Sequence, residues 1–193
     1  MHLFGINKEQ QIIEMFSHGD SRAMDLLYAE YSGLLTGICA RYIPNEEDRH
    51  DILQECFIKI FMKVSTFRYQ GKGSLQAWMS RIVINESLSY LRHQKAMLIS
   101  DEKEEIPDIP EEQPDTDNLT ENQILELIAR LPDGYRTVFN LFAIEGKSHK
   151  EIAKILNIKA DSSASQFHKA KKQLAKMIKN YRLNKELNEG SMD

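Results

Sequence analysis

The chain has 193 residues, with 25 Lys and Arg against 29 Asp and Glu, a formal net charge of −4, 41% apolar and 8% aromatic residues. That length suits one domain or two small ones and is short for a large enzyme. No apolar run is long enough to cross a membrane, Met1–Asn7 lacks the basic flank and apolar core of a secretory signal, and two cysteines, Cys39 and Cys56, cannot make a disulfide framework and suit a reducing cytosol.

In chain order, a first helix is predicted over about Lys8–Ser17, ending at His18-Gly19. Asp20 can cap the next, where Ala23, Leu26, Leu27, Tyr31, Leu34 and Leu35 recur at helical spacing to about Tyr42, before Pro44. Asn45 caps a third helix to about Val64, with a wide apolar stripe of Ile52, Leu53, Cys56, Phe57, Ile60, Phe61 and Val64. A polar loop, Arg68–Gly73, leads into a long helix from Ser74 to about Gln94.

The charge is unevenly spread. From Asp101 to Glu121 ten acids stand against the single base Lys103, a local net charge of −9, and Pro107, Pro110 and Pro114 fall in the same stretch. Such a segment cannot bury enough surface to order itself, so it reads as an acidic linker between two modules. From Lys147 to Lys185 eleven bases stand against Glu151 and Asp161, a local net charge of +9. The two segments cancel in the total, and the basic one points to a polyanion partner.

After the linker, Thr120–Gln123 reads as a capping box before Ile124, Leu127, Ile128 and Leu131. Pro132 suits a first helical turn. Val138, Phe139, Leu141 and Phe142 form the next stripe, which Gly146 ends. Ser148–Glu151 is a second capping box, opening a short helix with Ile152, Ala153, Ile155 and Leu156 inward. Asn157–Ala160 is a turn, and Asp161 or Ser162 caps a final helix to about Arg182. Two helices joined by a tight turn, the second rich in Lys, is the geometry that places a helix in the DNA major groove. At 100° per residue, Phe167, Ala170, Leu174 and Ile178 share one side of it. Ser162, Ser165, Lys169, Lys172 and Lys176 fall opposite, with Gln166 and Gln173 at the edge. Ser, Gln and Lys can donate to phosphates or base edges; the plain alternative is a solvated Lys-rich helix.

At these residues the chain resembles a known family. Glu151-Ile-Ala-Lys-Ile-Leu156, the turn, and Ser162–Lys171 are similar to the region 4 module of bacterial sigma factors. Leu131-Pro132-x-x-Tyr135-Arg136 resembles the start of that module's middle helix. Asp48-x-x-Asp51-Ile-Leu-Gln54-Glu55-x-Phe57 resembles the core-binding helix of region 2. Phe67-Arg68, then Ser74-Leu75-x-Ala77-Trp78-Met-x-Arg81-Ile82-x-x-Asn85, to Tyr90-Leu91-Arg92, resembles its promoter-melting part. With no room for the further regions of housekeeping sigma factors, the likeness is to the small extracytoplasmic-function group.

The resemblance implies an all-α fold of two small helical domains: residues 8–96 for core polymerase binding and −10 recognition, a flexible acidic linker over 97–119, and residues 120–183 for −35 recognition. It implies that Asp48, Asp51, Gln54 and Glu55 dock on the largest subunits of core RNA polymerase. Arg68, Tyr69, Lys72, Arg81, Asn85 and Arg92 would contact the −10 element, with Tyr69 stacking on an exposed base and Arg81 and Arg92 meeting phosphates. Ser162, Ser165, Gln166, Lys169, Lys172 and Lys176 would contact the −35 element. Trp78 reads as core rather than as a base reader. Promoter DNA and an anti-sigma factor are the further partners implied, in the cytoplasm, with no cofactor, metal or small-molecule substrate. The linker's charge is expected either to mimic nucleic acid or to hold the basic module off DNA.

The chain departs from the family pattern in places. Asn157 stands where the turn usually carries Gly, Ala164 lacks a base, Gln166 and His168 are less basic than usual, and the loop holds an unusual Gly71-Lys72-Gly73. An enzyme is the first rival class, but no His-Glu-x-x-His, phosphate-cradling loop or nucleophile elbow is present, and His149 reads as a surface helix residue. A regulator that binds DNA without polymerase would leave the N-terminal motifs idle, and an interaction scaffold is the third alternative.

Overall fold

The computed structural model describes residues 7–97 and 119–189; the predicted linker lies outside the described residues except for its two ends. The described residues are helical, with no strand among them, and the chain divides after Gln94 into two compact units.

The first unit holds four helices: α1 (Lys8–Ser17), α2 (Arg22–Tyr42), α3 (Glu46–Lys63) and α4 (Ser74–Met97). Each start has a local cause. Asn7 Oδ1 accepts from Glu9 N at 3.2 Å to cap α1. Asp20 Oδ1 accepts from Arg22 N at 3.0 Å, so Asp20 serves the start of α2 as predicted, although Ser21 occupies the cap position. Asn45 Oδ1 accepts from Asp48 N at 3.0 Å at the head of α3. The third helix stops at Lys63, one residue short of the prediction, where the chain tightens into a 3-10 turn at Val64–Thr66. The fourth runs three residues further than predicted.

Ile12, Leu27, Leu35, Tyr42, Ile60, Val64, Leu75, Met79 and Val83 are fully buried and join all four helices. Cys39 and Cys56 are buried among them. Burial pushes the Cys56 thiol up to about 12 and raises the Cys39 thiol, so the reactive thiolate is scarce. Neither thiol is expected to react with iodoacetamide at pH 8 until denaturant is added; labelling of the native chain, read by intact mass, would contradict this burial.

The second unit holds α5 (Glu121–Ala129), α6 (Asp133–Phe139), α7 (His149–Leu156) and α8 (Ala160–Glu189). Both predicted capping boxes are present, Thr120 with Gln123 and Ser148 with Glu151. Leu127, Ile128 and Leu131 pack against Ala170, Leu174 and Ile178 of α8, and Leu119, assigned to the linker from sequence, packs on this cluster.

Four local expectations need correction. Pro132 sits at the cap position of α6 rather than inside its first turn; its carbonyl accepts from Arg136 N at 2.9 Å. The middle helix does not continue as α-helix to Gly146: after Phe139 it widens into a π turn at Asn140–Ile144, with Glu145 N donating to Asn140 O at 2.9 Å. Gly146 (φ +65°) then lets Lys147 N reach back to Leu141 O at 2.9 Å. The last helix begins at Ala160, ahead of Asp161 and Ser162, because Ser163 N already bonds Lys159 O at 3.1 Å, and it runs on past Arg182 to Glu189.

Candidate nucleic-acid and polymerase interface

On α3 the predicted docking residues Asp51, Gln54 and Glu55 are exposed, while Asp48 is half-buried. Asp48 is drawn inward by α4, where the Tyr90 hydroxyl bonds it; burial and then this bond raise Tyr90 above the ordinary phenol value. Lys59 of α3 pairs with Glu86 of α4 at 2.6 Å, one link between the two helices. The face extends beyond the predicted set. Ile58 is 58% exposed and Met62 75% exposed, one and two turns along from Glu55. Sequence reasoning missed both, because the adjoining stripe is already wide enough for a core. Tyr28 of α2, also exposed, lies over Phe57 with ring centroids 4.9 Å apart. The result is an acidic edge bordered by exposed apolar side chains.

The polar loop lies between the 3-10 turn and α4. Phe67 packs on Trp78 at 5.1 Å, which leaves Trp78 half-buried as part of the loop's floor. Arg68 and Lys72 are exposed and Tyr69 is half-buried. Gly71 (φ +114°) and Gly73 (φ +88°) adopt backbone conformations that side chains disfavour, and Ser74 N closes the turn on Gly71 O at 3.0 Å. On α4, Leu75, Met79, Val83 and Ser87 face inward. Arg81, Asn85 and Arg92 are exposed and fall within about 40° of one another around the helix. The loop and this stripe therefore place an aromatic ring, a carboxamide and four cations on the first unit, the composition that single-stranded nucleic acid calls for.

In the second unit the turn between α7 and α8 is closed by Asn157, the one non-glycine residue with positive φ among those described (φ +54°, ψ +49°). Asn tolerates this conformation, so the departure from Gly leaves the turn intact. Ile158 N returns to Ala153 O at 3.0 Å. The α7 cap is tight: Ser148 Oγ and N donate to Glu151 Oε2 at 2.7 and 2.8 Å, and they hold its carboxyl below the usual range.

The fit between α7 and α8 is aromatic. Phe142 stacks on His149 at 4.4 Å and meets Phe167 at 4.4 Å, and the His149 Nδ1 and Ser163 Oγ share a hydrogen bond of 3.0 Å. His149 is therefore half-buried, not the surface residue expected, because Phe142 arrives from the π turn to cover it. Ser163 is fully buried there with its hydroxyl satisfied.

This packing turns the opposite face of α8 outward. Ser165 and Lys176 are exposed, while Ser162, Lys169 and Lys172 are half-buried. Gln166 is half-buried too, and its Oε1 lies 3.3 Å from where a Cβ on Gly134 would sit, so it leans toward the start of α6. Ala164 and His168 are also exposed. Among the described residues no group of three or more His, Cys, Asp or Glu could hold a metal ion, and no helix is long and apolar enough to cross a membrane.

Two family models match the chain, one after the other. Residues 27–97 match the family described as Sigma-70 region 2, and residues 121–174 match Sigma-70, region 4. The chain is 26% identical over 183 residues to the ECF RNA polymerase sigma-E factor of Haemophilus influenzae, covering 88% of this chain and 95% of that protein. It is 27% identical over 184 residues to the RNA polymerase sigma-H factor of Pseudomonas aeruginosa, covering 89% and 94%. Among solved structures it is similar to a sigma factor from Bartonella quintana, there in complex with an anti-sigma factor (TM-score 0.48, 18% identity, 82% of this chain and 98% of that chain). With both modules matched in order, the chain belongs to the sigma-70 family of RNA polymerase sigma factors, in its extracytoplasmic-function group.

Proposed function

We propose that this chain acts in the cytoplasm as an alternative sigma factor, binding core RNA polymerase and directing it to a set of promoters, by binding and not by catalysis. Residues 8–96 engage polymerase through Asp48, Asp51, Gln54 and Glu55, joined by Ile58 and Met62, and contact the −10 element through Arg68, Tyr69, Lys72, Arg81, Asn85 and Arg92. Residues 120–183 contact the −35 duplex through Ser162, Ser165, Gln166, Lys169, Lys172 and Lys176, and residues 97–119 link the two. Control by an anti-sigma factor, under stress or envelope signals, follows from the family resemblance. The observation that carries this reading is the ordered match of region 2 and region 4 to the two units.

The test is transcription from genomic DNA with core polymerase and this chain alone, followed by sequencing of the transcripts. Start sites sharing spaced −35 and −10 sequences are expected; random initiation, or a requirement for another sigma factor, would sink the proposal. For α8, neutralising Lys169, Lys172 or Lys176 singly should weaken DNA binding across sequences and lower the slope of log affinity against log salt by about 1 each. An unchanged slope removes that lysine from the interface.

A further inference from the structure

We infer that the N-terminal end of α1 is a clasp that sets the shape of the −10 loop, with Asn7 as the positioning residue for Tyr69 and Glu9 as the one that holds the loop's exit at Gly73. This rests on the proposed reading of the loop as a −10 contact.

Glu9 is unusual for its helix. Its neighbours Lys8, Gln10, Gln11 and Glu14 are exposed, yet Glu9 as a residue is only 4% exposed. Burying a carboxylate is costly unless its oxygens are satisfied. Glu9 Oε2 accepts from Gly73 N at 2.8 Å, and Oε1 accepts from Gln76 N at 3.1 Å. Both are amides at the head of α4, where anionic groups are favoured. Glu9 also faces Tyr31, whose hydroxyl is pushed up to about 12 by burial and then by this carboxylate. Asn7 has two tasks. Its Oδ1 caps α1, and its Nδ2 donates to the Tyr69 hydroxyl at 2.5 Å.

The loop needs such a constraint from elsewhere. Gly71 and Gly73 give it the freedom to adopt many shapes, which must be given up on binding unless the shape is already set. Its internal bonds, Ser74 N to Gly71 O and Gln70 N to Ser74 Oγ, fix the turn itself. The position of Tyr69 and the exit at Gly73 are fixed by α1, more than 60 residues earlier in the sequence. Asn7 and Glu9 thus act on nucleic acid through the loop, without touching it.

The test uses core polymerase with the full chain. The probes are fluorescent single-stranded −10 oligonucleotides from a promoter found by transcript sequencing, each with one base substituted. Asn7→Ser keeps the α1 cap but cannot reach Tyr69; Tyr69→Phe removes only the hydroxyl. Each should lower discrimination at the same single −10 position by about three- to ten-fold, with core affinity within about two-fold and the double variant no worse than either single. Glu9→Ala should act in the same direction at that position. If Tyr69→Ala lowers discrimination while Asn7→Ser and Glu9→Ala do not, the clasp is wrong and the loop reading stands. If Tyr69→Ala also changes nothing, both fall. Equal losses at every −10 position, or loss of core binding in Asn7→Ser, would make the contact a folding feature only and overturn the proposal.

Discussion

Glu55→Lys combined with Ile58→Asp is expected to weaken binding to core RNA polymerase about a hundredfold, roughly 2.7 kcal/mol. Asp51, Glu55, Ile58 and Met62 follow one another along the exposed side of α3, so charge and apolar surface lie on one face. Interfaces concentrate their energy in a few such residues, and truncating one typically costs about 1–2 kcal/mol or more. Adding a base where an acid meets its partner introduces repulsion as well as losing attraction. Glu55 and Ile58 are exposed in the free chain, so its unfolding free energy should change only by the amount usual for surface substitutions, about 0.5 kcal/mol. Competition against a labelled unaltered chain measures the effect. Undiminished affinity would place polymerase elsewhere on the first unit.

Arg136→Ala should destabilise the second unit by about 3 kcal/mol while sparing the first. Arg136 is 3% exposed, and its guanidinium donates to Leu131 O at 2.7 Å, Ala129 O at 3.3 Å and Asp133 Oδ1 at 2.5 Å. These bonds tie the end of α5 to the start of α6. Alanine leaves the carbonyls without that donor and opens a cavity. Lysine retains the charge but not the planar fork, so Arg136→Lys should recover only part of the loss. Hydrogen exchange separates the two units: amides of α5 to α8 should lose protection and those of α2 and α3 should not. Equal loss in both would show that the units unfold together.

Local features were the most legible in the sequence. The capping boxes at Thr120 and Ser148 are short-range codes, and the structure builds both. The inward faces of α5 and α8 follow from spacing alone, because Leu127, Ile128, Ala170, Leu174 and Ile178 recur at the helical period. Features that depend on a second element were not legible. His149 is half-buried because Phe142 covers it, and no pattern around His149 says so. Ile58 and Met62 are apolar beside an apolar stripe, and periodicity does not say where a core ends. The α8 start moved because Asn157 and the Ile158 to Ala153 bond close the turn in fewer residues than a side-chain cap at Asp161 or Ser162 requires. The Asn7 and Glu9 contacts cross more than 60 residues and leave no local trace at all.

The π turn at Asn140–Ile144 makes this stretch a buffer for changes in chain length. A π turn holds one residue more than an α turn, so the helix already carries the equivalent of a single inserted residue. Removing one residue here rewinds the turn to α geometry and leaves the path to α7 nearly unchanged. A deletion in the middle of α8 would instead rotate every later side chain by about 100° and bring Leu174 and Ile178 out of the core. Loss of a single residue should therefore be better tolerated at the exposed Ala143–Ile144 end of this turn than in the middle of α8.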